Sequence, residues 1–195
     1  MSAPEIKKYT KLNELAEKGG IVIFGCGEDK DIPTCELSQA FAIEPKIYNR
    51  SFDNISVKEA LSVYKETVDV LFPETVLLHI GQADMDFFKE NSTEFDNKYR
   101  ELIGFIKKQN KKCRIAVVSL RNYYNDPQID KINKHLKYIA DSEQCEYGDI
   151  ATKKVWNPKA TMDAVSFVYS IGFAHPLKNK RPLYDLVKIL FCCDI

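Results

Sequence analysis

The sequence has no excess of charge of either sign. Its 28 basic and 28 acidic residues leave a formal net charge of zero, so it lacks the basic surplus of a general nucleic-acid footprint. Two locally basic stretches, "NKKCRIAV" and "LKNKRPLYD", read as solvated helix ends. No apolar run approaches the ~20 residues that cross a bilayer. The opening "MSAPEIKKYTKLNELAEKGG" lacks the basic stub and apolar run of a secretion signal. A cytoplasmic protein with neither a nucleic-acid nor a membrane partner is expected. Six cysteines are present, at 26, 35, 113, 145, 192 and 193, but no C-x-x-C pair. A structural zinc site is therefore not expected, and in a reducing compartment the thiols stay free. Cys113 and Cys145 lie beside strands and read as small core residues. The ending "CCDI" has Asp194 where a prenylation box needs an aliphatic residue.

What is there fits one soluble domain spanning residues 1–195. The chain is 45% hydrophobic and 29% charged, and it is long enough to bury a sizeable core. Residues 4–18 read as a first helix, with Pro4 in its first turn and Gly19-Gly20 ending it. Strands are expected at 21–25, 46–49, 75–81, 114–120 and 145–150. Three of them ("IVIFG", "TVLLHIG", "RIAVVSL") are the continuous apolar runs of strands covered on both faces. Helices are expected at 35–42, from Ser56 to about 72, at 93–110, from Asp126-Pro127 to about 142, and at 181–192. Ser56 and Glu59 form the pattern of a capping box, and Asp126 followed by Pro127 is a cap with proline at the first helical position. Strands alternating with helices predict a three-layer α/β/α sandwich on a five-stranded parallel sheet. Ligands of open α/β sheets bind beyond the carboxyl ends of the strands. That directs attention to "GCGED" (25–29), "NRSFDN" (49–54), "GQADM" (81–85), "RNYYND" (121–126) and the late loop 157–176. Tyr123 and Tyr124 are candidates for an aromatic pocket wall.

The first of these turns has a gap in its chemistry. It offers Cys26 between Gly25 and Gly27, and no hydroxyl side chain until Thr34. A turn rich in backbone N–H groups lowers a thiol's pKa, whereas free cysteine is more often a small buried residue. His175, in "GFAHPL", is the one histidine of the late loop and a candidate base for Cys26 in Cys–His logic; a surface role is the plainer reading. His79, inside an apolar strand, reads as a satisfied core histidine, and His135, among lysines on a helix, as solvated. Glu28, Asp29, Asp31, Asp84 and Asp163 could gather as oxygen ligands for a divalent cation, but loop acids that are solvated or cap turns are the commoner case. Gly25-x-Gly27 also opens a dinucleotide fingerprint, yet Lys30 stands where the third glycine belongs.

The loops in order resemble the SGNH, or GDSL-like, hydrolases over nearly the whole chain, which implies their flavodoxin-like type of fold. "IYNRSFDNIS" resembles the family's second block and "LLHIGQADM" its third. "VVSLRNYYNDPQIDKINKHLKYIADSEQCEYGDI" resembles the stretch between its fourth and fifth strands, and "MDAVSFVYSIGF" its final block. The resemblance implies ester hydrolysis by a serine after the first strand, an oxyanion hole from a glycine and an asparagine, and an Asp-x-x-His pair. Carried over residue by residue, the serine falls on Gly27, the oxyanion glycine on Ser51 and the asparagine on Ala83, while the histidine falls on Ser166. Gly81, Asp84 and Asp163 keep the family's residues. A shift of one residue in "FGCGED" would place Cys26 at the nucleophile position.

The expected function is therefore a hydrolase-fold protein that has lost standard Ser-His-Asp hydrolysis. It would bind an acyl- or sugar-bearing ligand, or a protein partner, at the strand ends. The alternative is an active esterase using Cys26, or a shifted serine such as Ser166, with His175 and Asp163. The candidate oxyanion or ligand-binding residues are Gly27, Ser51, Gly81, Ala83 and Asp84. Neither reading calls for a metal or another cofactor.

Overall fold

The computed structural model describes residues 3–40, 43–122 and 124–151. Five parallel strands form one sheet in the order β2-β1-β3-β4-β5: β1 Ile21–Gly25, β2 Ile47–Asn49, β3 Thr75–His79, β4 Arg114–Val118 and β5 Glu146–Gly148. Among the described residues six helices connect or flank them: α1 Ala3–Asn13, α2 Thr34–Ala40, α3 Val57–Thr67, α4 Met85–Glu90, α5 Ser92–Gln109 and α6 Pro127–Ser142. The alternating strands and helices are the order that the apolar runs predict.

Register fixes which side chains share a face. Val22 lies beside Val76, and Val76 beside Ile115. Because successive side chains of a strand alternate faces, Val22, Phe24, Val76, Leu78, Ile115 and Val117 all turn to one side. There they meet the apolar stripes of α3, α5 and α6 in a single core. Ile21, Ile23, Leu77, Ala116 and Val118 turn to the other side and are equally buried. The connection β1–α2–β2 steps in the opposite direction along the sheet from the later connections. A right-handed crossover therefore puts α2 on that second face. Edge-to-face contacts link Tyr9, Phe52, Phe24 and Tyr64 through the first core, at centroid distances of 5.2, 6.2 and 5.5 Å.

Several boundaries differ from the sequence expectation, each for a tertiary reason. Helix α1 stops at Asn13 rather than at residue 18. The Asn13 side chain donates to the Thr67 carbonyl and accepts from the buried Arg50 guanidinium, which ties the chain to α3 and β2 at that point. Ser56 makes no capping bond to the backbone of α3. The Glu59 N–H that a capping box would engage donates to the Ser56 carbonyl, and the carboxylate of Asp84 accepts the Val57 N–H, at 2.9 Å. The expected cap of α6 is present, with Asp126 accepting from the Gln128 N–H at 2.8 Å. Short 3-10 turns at Gly27–Asp31, Asp69–Leu71 and Gln82–Asp84, and the separate helix α4, are additions to the expected elements. The expected helix at 181–192 lies outside the described residues. No helix among the described residues is long and apolar enough to cross a membrane.

Candidate functional site at the strand ends

Strand β1 ends at Gly25, and the chain then makes one more sheet contact, a parallel bridge between Cys26 and Phe52. Gly27 follows with φ +58, and a 3-10 turn carries the backbone through Asp31. That turn folds Asp29 back over the strand end. Its Oδ2 lies 2.6 Å from Nδ1 of His79, the last residue of β3, in a fully buried pair. Gly25 is the consequence of this contact. A Cβ at position 25 would stand 2.1 Å from Asp29 Oδ2 and 3.2 Å from the His79 carbonyl oxygen, so only glycine leaves room for the carboxylate. The Asn49 amide fixes the same turn from β2 by donating to the Asp29 carbonyl at 2.6 Å.

The position that the resemblance assigns to a nucleophile is Gly27, and the N–H groups of this turn and its neighbour are already engaged. Gly27 N–H donates to the Phe52 carbonyl at 2.9 Å. Ser51 N–H donates to Asn49 Oδ1 at 3.0 Å. The Ser51 carbonyl accepts the Tyr9 hydroxyl. An oxyanion hole needs N–H groups aimed at empty space where charge develops, and these two are aimed into the protein. Ser51 Oγ and Asp29 Oδ1 are buried and have no hydrogen-bond partner among the described residues.

Cys26 is 6% exposed and belongs to the main core. Burial first, and the nearby Asp29 carboxylate second, push its thiol up to about 12. Cys26 shares a face with Phe24, whereas His79 shares one with Gly25, its register partner. The thiol and the imidazole therefore point to opposite faces of the sheet and cannot form a nucleophile–base pair.

The third loop is also turned inward. Gly81 has φ +123, and a Cβ there would meet the Phe95 ring at 3.4 Å, so the turn needs glycine. Ala83 is exposed and carries no side-chain donor. Asp84 is 2% exposed, and its carboxylate caps α3 instead of facing solvent. Burial raises its pKa to about 6, against the lowering effect of the Val57 N–H. In the fourth loop the Asn122 side chain binds the backbone of Asp126 and the Asp130 carboxylate. Tyr124 stands 92% exposed rather than walling a pocket. Among the described residues, no three His, Cys, Asp or Glu side chains converge as metal ligands. Asp163, Ser166, His175 and Tyr123 lie outside the described residues.

Sequence reasoning placed His79 in the core but did not find its partner. Asp29 had read as a solvated loop acid, and the two residues are 50 positions apart. The one available signal was physical: a histidine inside an apolar strand must find a polar partner. His135 is likewise not simply solvated, because its Nδ1 contacts both carboxylate oxygens of Asp96, at 2.9 and 3.0 Å.

No protein-family model matches the chain, and no curated protein matches it either. Solved structures do. A GDSL-like lipase from Bacteroides thetaiotaomicron is similar with a TM-score of 0.62 at 17% identity, over 95% of this chain and 94% of that one. A proposed acylhydrolase from Bacteroides fragilis is similar with a TM-score of 0.63 at 15% identity, over 97% and 95%. A catalytic mutant of an acetylxylan esterase from Geobacillus stearothermophilus gives a TM-score of 0.55 at 16% identity, over 82% of both chains. The chain has the fold of the SGNH hydrolases.

Proposed function

We propose that this protein is a non-hydrolytic relative of the SGNH hydrolases, which binds an acyl- or sugar-bearing small molecule at the carboxyl ends of its strands. One observation carries the reading: the N–H groups of Gly27 and Ser51 donate to Phe52 O and Asn49 Oδ1, so the two backbone donors that would stabilise an oxyanion are occupied. Three further features support it. Glycine stands at the nucleophile position, alanine at the asparagine position, and the one thiol of the turn is buried and held protonated. Acyl transfer needs a nucleophile, a base and oxyanion donors together, and the described loops supply none of the three. The location of the site rests on the rule that ligands of open α/β sheets sit at the strand ends, and the ligand class is taken from the solved neighbours. The solved neighbours include an acetylxylan esterase and lipase-like proteins.

The test is hydrolysis of p-nitrophenyl acetate by the purified protein beside a Cys26→Ala variant, with binding of butyrate and xylobiose followed by NMR on the same samples. Neither burst nor turnover is expected, with saturable shifts from one of the two ligands around residues 25–29 and 49–54. A burst or turnover lost in Cys26→Ala would replace the proposal with a thiol esterase. Turnover equal in both proteins would place a working site elsewhere in the chain. No saturation by either ligand would remove the binding half of the proposal.

A further inference from the structure

Helix α6 is amphipathic, and its flank carries an unbalanced set of cations. Ile129, Ile132, Leu136 and Ile139 form its buried stripe. Lys131, Lys134 and His135 fall beside one another on the flank, because residues three and four apart share a helix face. Across from them stand Phe88 and Lys89 of α4 and Ser92 of α5. Together with Asp126, Pro127 and Gln128 at the start of α6 they line an open groove of about 600 Å³.

Charge pairing differs among the lysines of α5 and α6. Lys137, one turn further along α6, pairs with Asp141 at 3.0 Å, and Lys98 pairs with Glu101 at 3.0 Å. Lys131 and Lys134 have no ion pair among the described residues, and Lys89 reaches only the exposed Asp86, at 3.4 Å. With acids and bases equal in number over the whole chain, this cluster does not reflect a general excess of lysine. The one acid in the groove, Asp126, already accepts the Gln128 N–H as the cap of α6.

The histidine is held in place from behind. Position 96 lies in the buried stripe of α5, between Phe95 and Tyr99, where a carboxylate is costly unless it is bonded. Among the described residues Asp96 bonds only to His135 Nδ1. Its side chain is 12% exposed and that of His135 is 37% exposed, so the carboxylate is covered while the imidazole reaches the groove. The edge of Phe88 packs on the ring at a centroid distance of 4.8 Å. With Nδ1 committed to Asp96, Nε2 is the nitrogen left for a ligand. In the imidazolium form the ring donates to Asp96 through one nitrogen and to an anion through the other.

We propose that this groove is a binding site for the phosphate group of a small phosphomonoester. Lys131, Lys134 and His135 Nε2 would contact the phosphate, Asp96 would act as a positioning residue, and Phe88 and Pro127 would lie against the organic portion. Two lysines and an imidazole on one face suit a dianion better than a single carboxylate. The site is separate from the strand-end loops around Gly27 and Ser51, and does not depend on what they bind.

The experiment is an NMR titration of the isotope-labelled full chain with inorganic phosphate, phenyl phosphate and benzoate at constant ionic strength. Saturable shifts are expected at residues 88–92 and 131–135, with phenyl phosphate binding more tightly than inorganic phosphate and benzoate more weakly than either. Exchanging the exposed pair (Lys131→Gln with Lys134→Gln) should weaken phosphate roughly tenfold through loss of charge-assisted hydrogen bonds while leaving the melting temperature in place. Asp96→Asn tests positioning separately: a rise in the phosphate dissociation constant, with a changed pH dependence of binding, supports the assigned role. Unchanged affinity in the lysine double variant, benzoate binding as tightly as phosphate, or shifts confined to other surfaces would overturn the proposal. Should Asp96→Asn fail to fold, His135→Gln, with its half-exposed side chain, gives the same reading.

Discussion

Asp29 and His79 join the first and third strands through a 2.6 Å hydrogen bond buried under the turn that follows β1. The bond accounts for the backbone around it, since Gly25 has no Cβ because the carboxylate occupies that space. Removing one member of a buried polar pair strands the other without solvent. Asp29→Ala and His79→Ala should each cost about 3 kcal/mol in urea unfolding. The double variant should cost clearly less than their sum, as a double-mutant cycle on a contacting pair requires. Additive losses would mean that the two residues stabilise the turn independently. Gly25→Ala should reproduce most of the loss without touching either side chain.

The Cys26 thiol, pushed up to about 12 by burial and by Asp29, is ionised in only about one molecule in ten thousand at pH 8, and the thiolate is the reactive form. Cys35 is exposed. Alkylation at pH 8 followed by peptide mapping should therefore label Cys35 rapidly and Cys26 only when urea unfolds the chain. Rapid labelling of Cys26 in the folded protein would contradict its burial and revive the thiol-nucleophile reading.

The strands announce themselves as apolar runs because a strand covered on both faces has no polar position. Asp126-Pro127 announces α6 because cap and first-turn chemistry are local. The end of α1 at Asn13 and the cap of α3 by Asp84 are not local. Each is decided by a side chain arriving from elsewhere, and the cap of α3 is the Asp84 carboxylate on the Val57 N–H rather than the Ser56 hydroxyl. The strand-end loops were legible as positions, through the resemblance carried by "NRSFDN" and "GQAD". The direction of their N–H groups was not, because it depends on Phe52 and Asn49 accepting from Gly27 and Ser51 across separate loops.

Asp84 gives the chain a pH dependence of known sign. Burial raises its pKa from 3.8 to about 6, so between those values the folded state holds a proton that the unfolded chain releases. Stability from this group is fully present below about pH 4 and declines as pH rises through about 6. A shift of this size corresponds to roughly 2–3 kcal/mol. Asp84→Asn keeps an acceptor for the Val57 N–H and removes the titration. Comparing urea unfolding of the two proteins at pH 4, 5.5 and 7 isolates the effect from that of the other acids. The difference should grow in favour of the asparagine variant with rising pH, and a flat difference would place the titration elsewhere.

Placing a hydroxyl at Gly27, the position that the resemblance assigns to the nucleophile, separates a missing atom from a missing site. A Cβ at Gly27 meets nothing within 4 Å, although φ there is +58. Gly27→Ser should therefore fold, losing about 1 kcal/mol to left-handed backbone strain. It should not hydrolyse p-nitrophenyl acetate. The new Oγ would stand in a turn whose own N–H still donates to Phe52 O and whose neighbour Ser51 still donates to Asn49 Oδ1, so an oxyanion formed there would have no backbone donor from either. Adding Ala83→Asn would return one side-chain donor from an exposed position, yet leave both backbone donors engaged. Measurable turnover from Gly27→Ser alone would show that these two bonds open at low cost. The absence of hydrolysis proposed above would then rest on a single missing hydroxyl group, and the strand-end site would be a hydrolase one substitution from function.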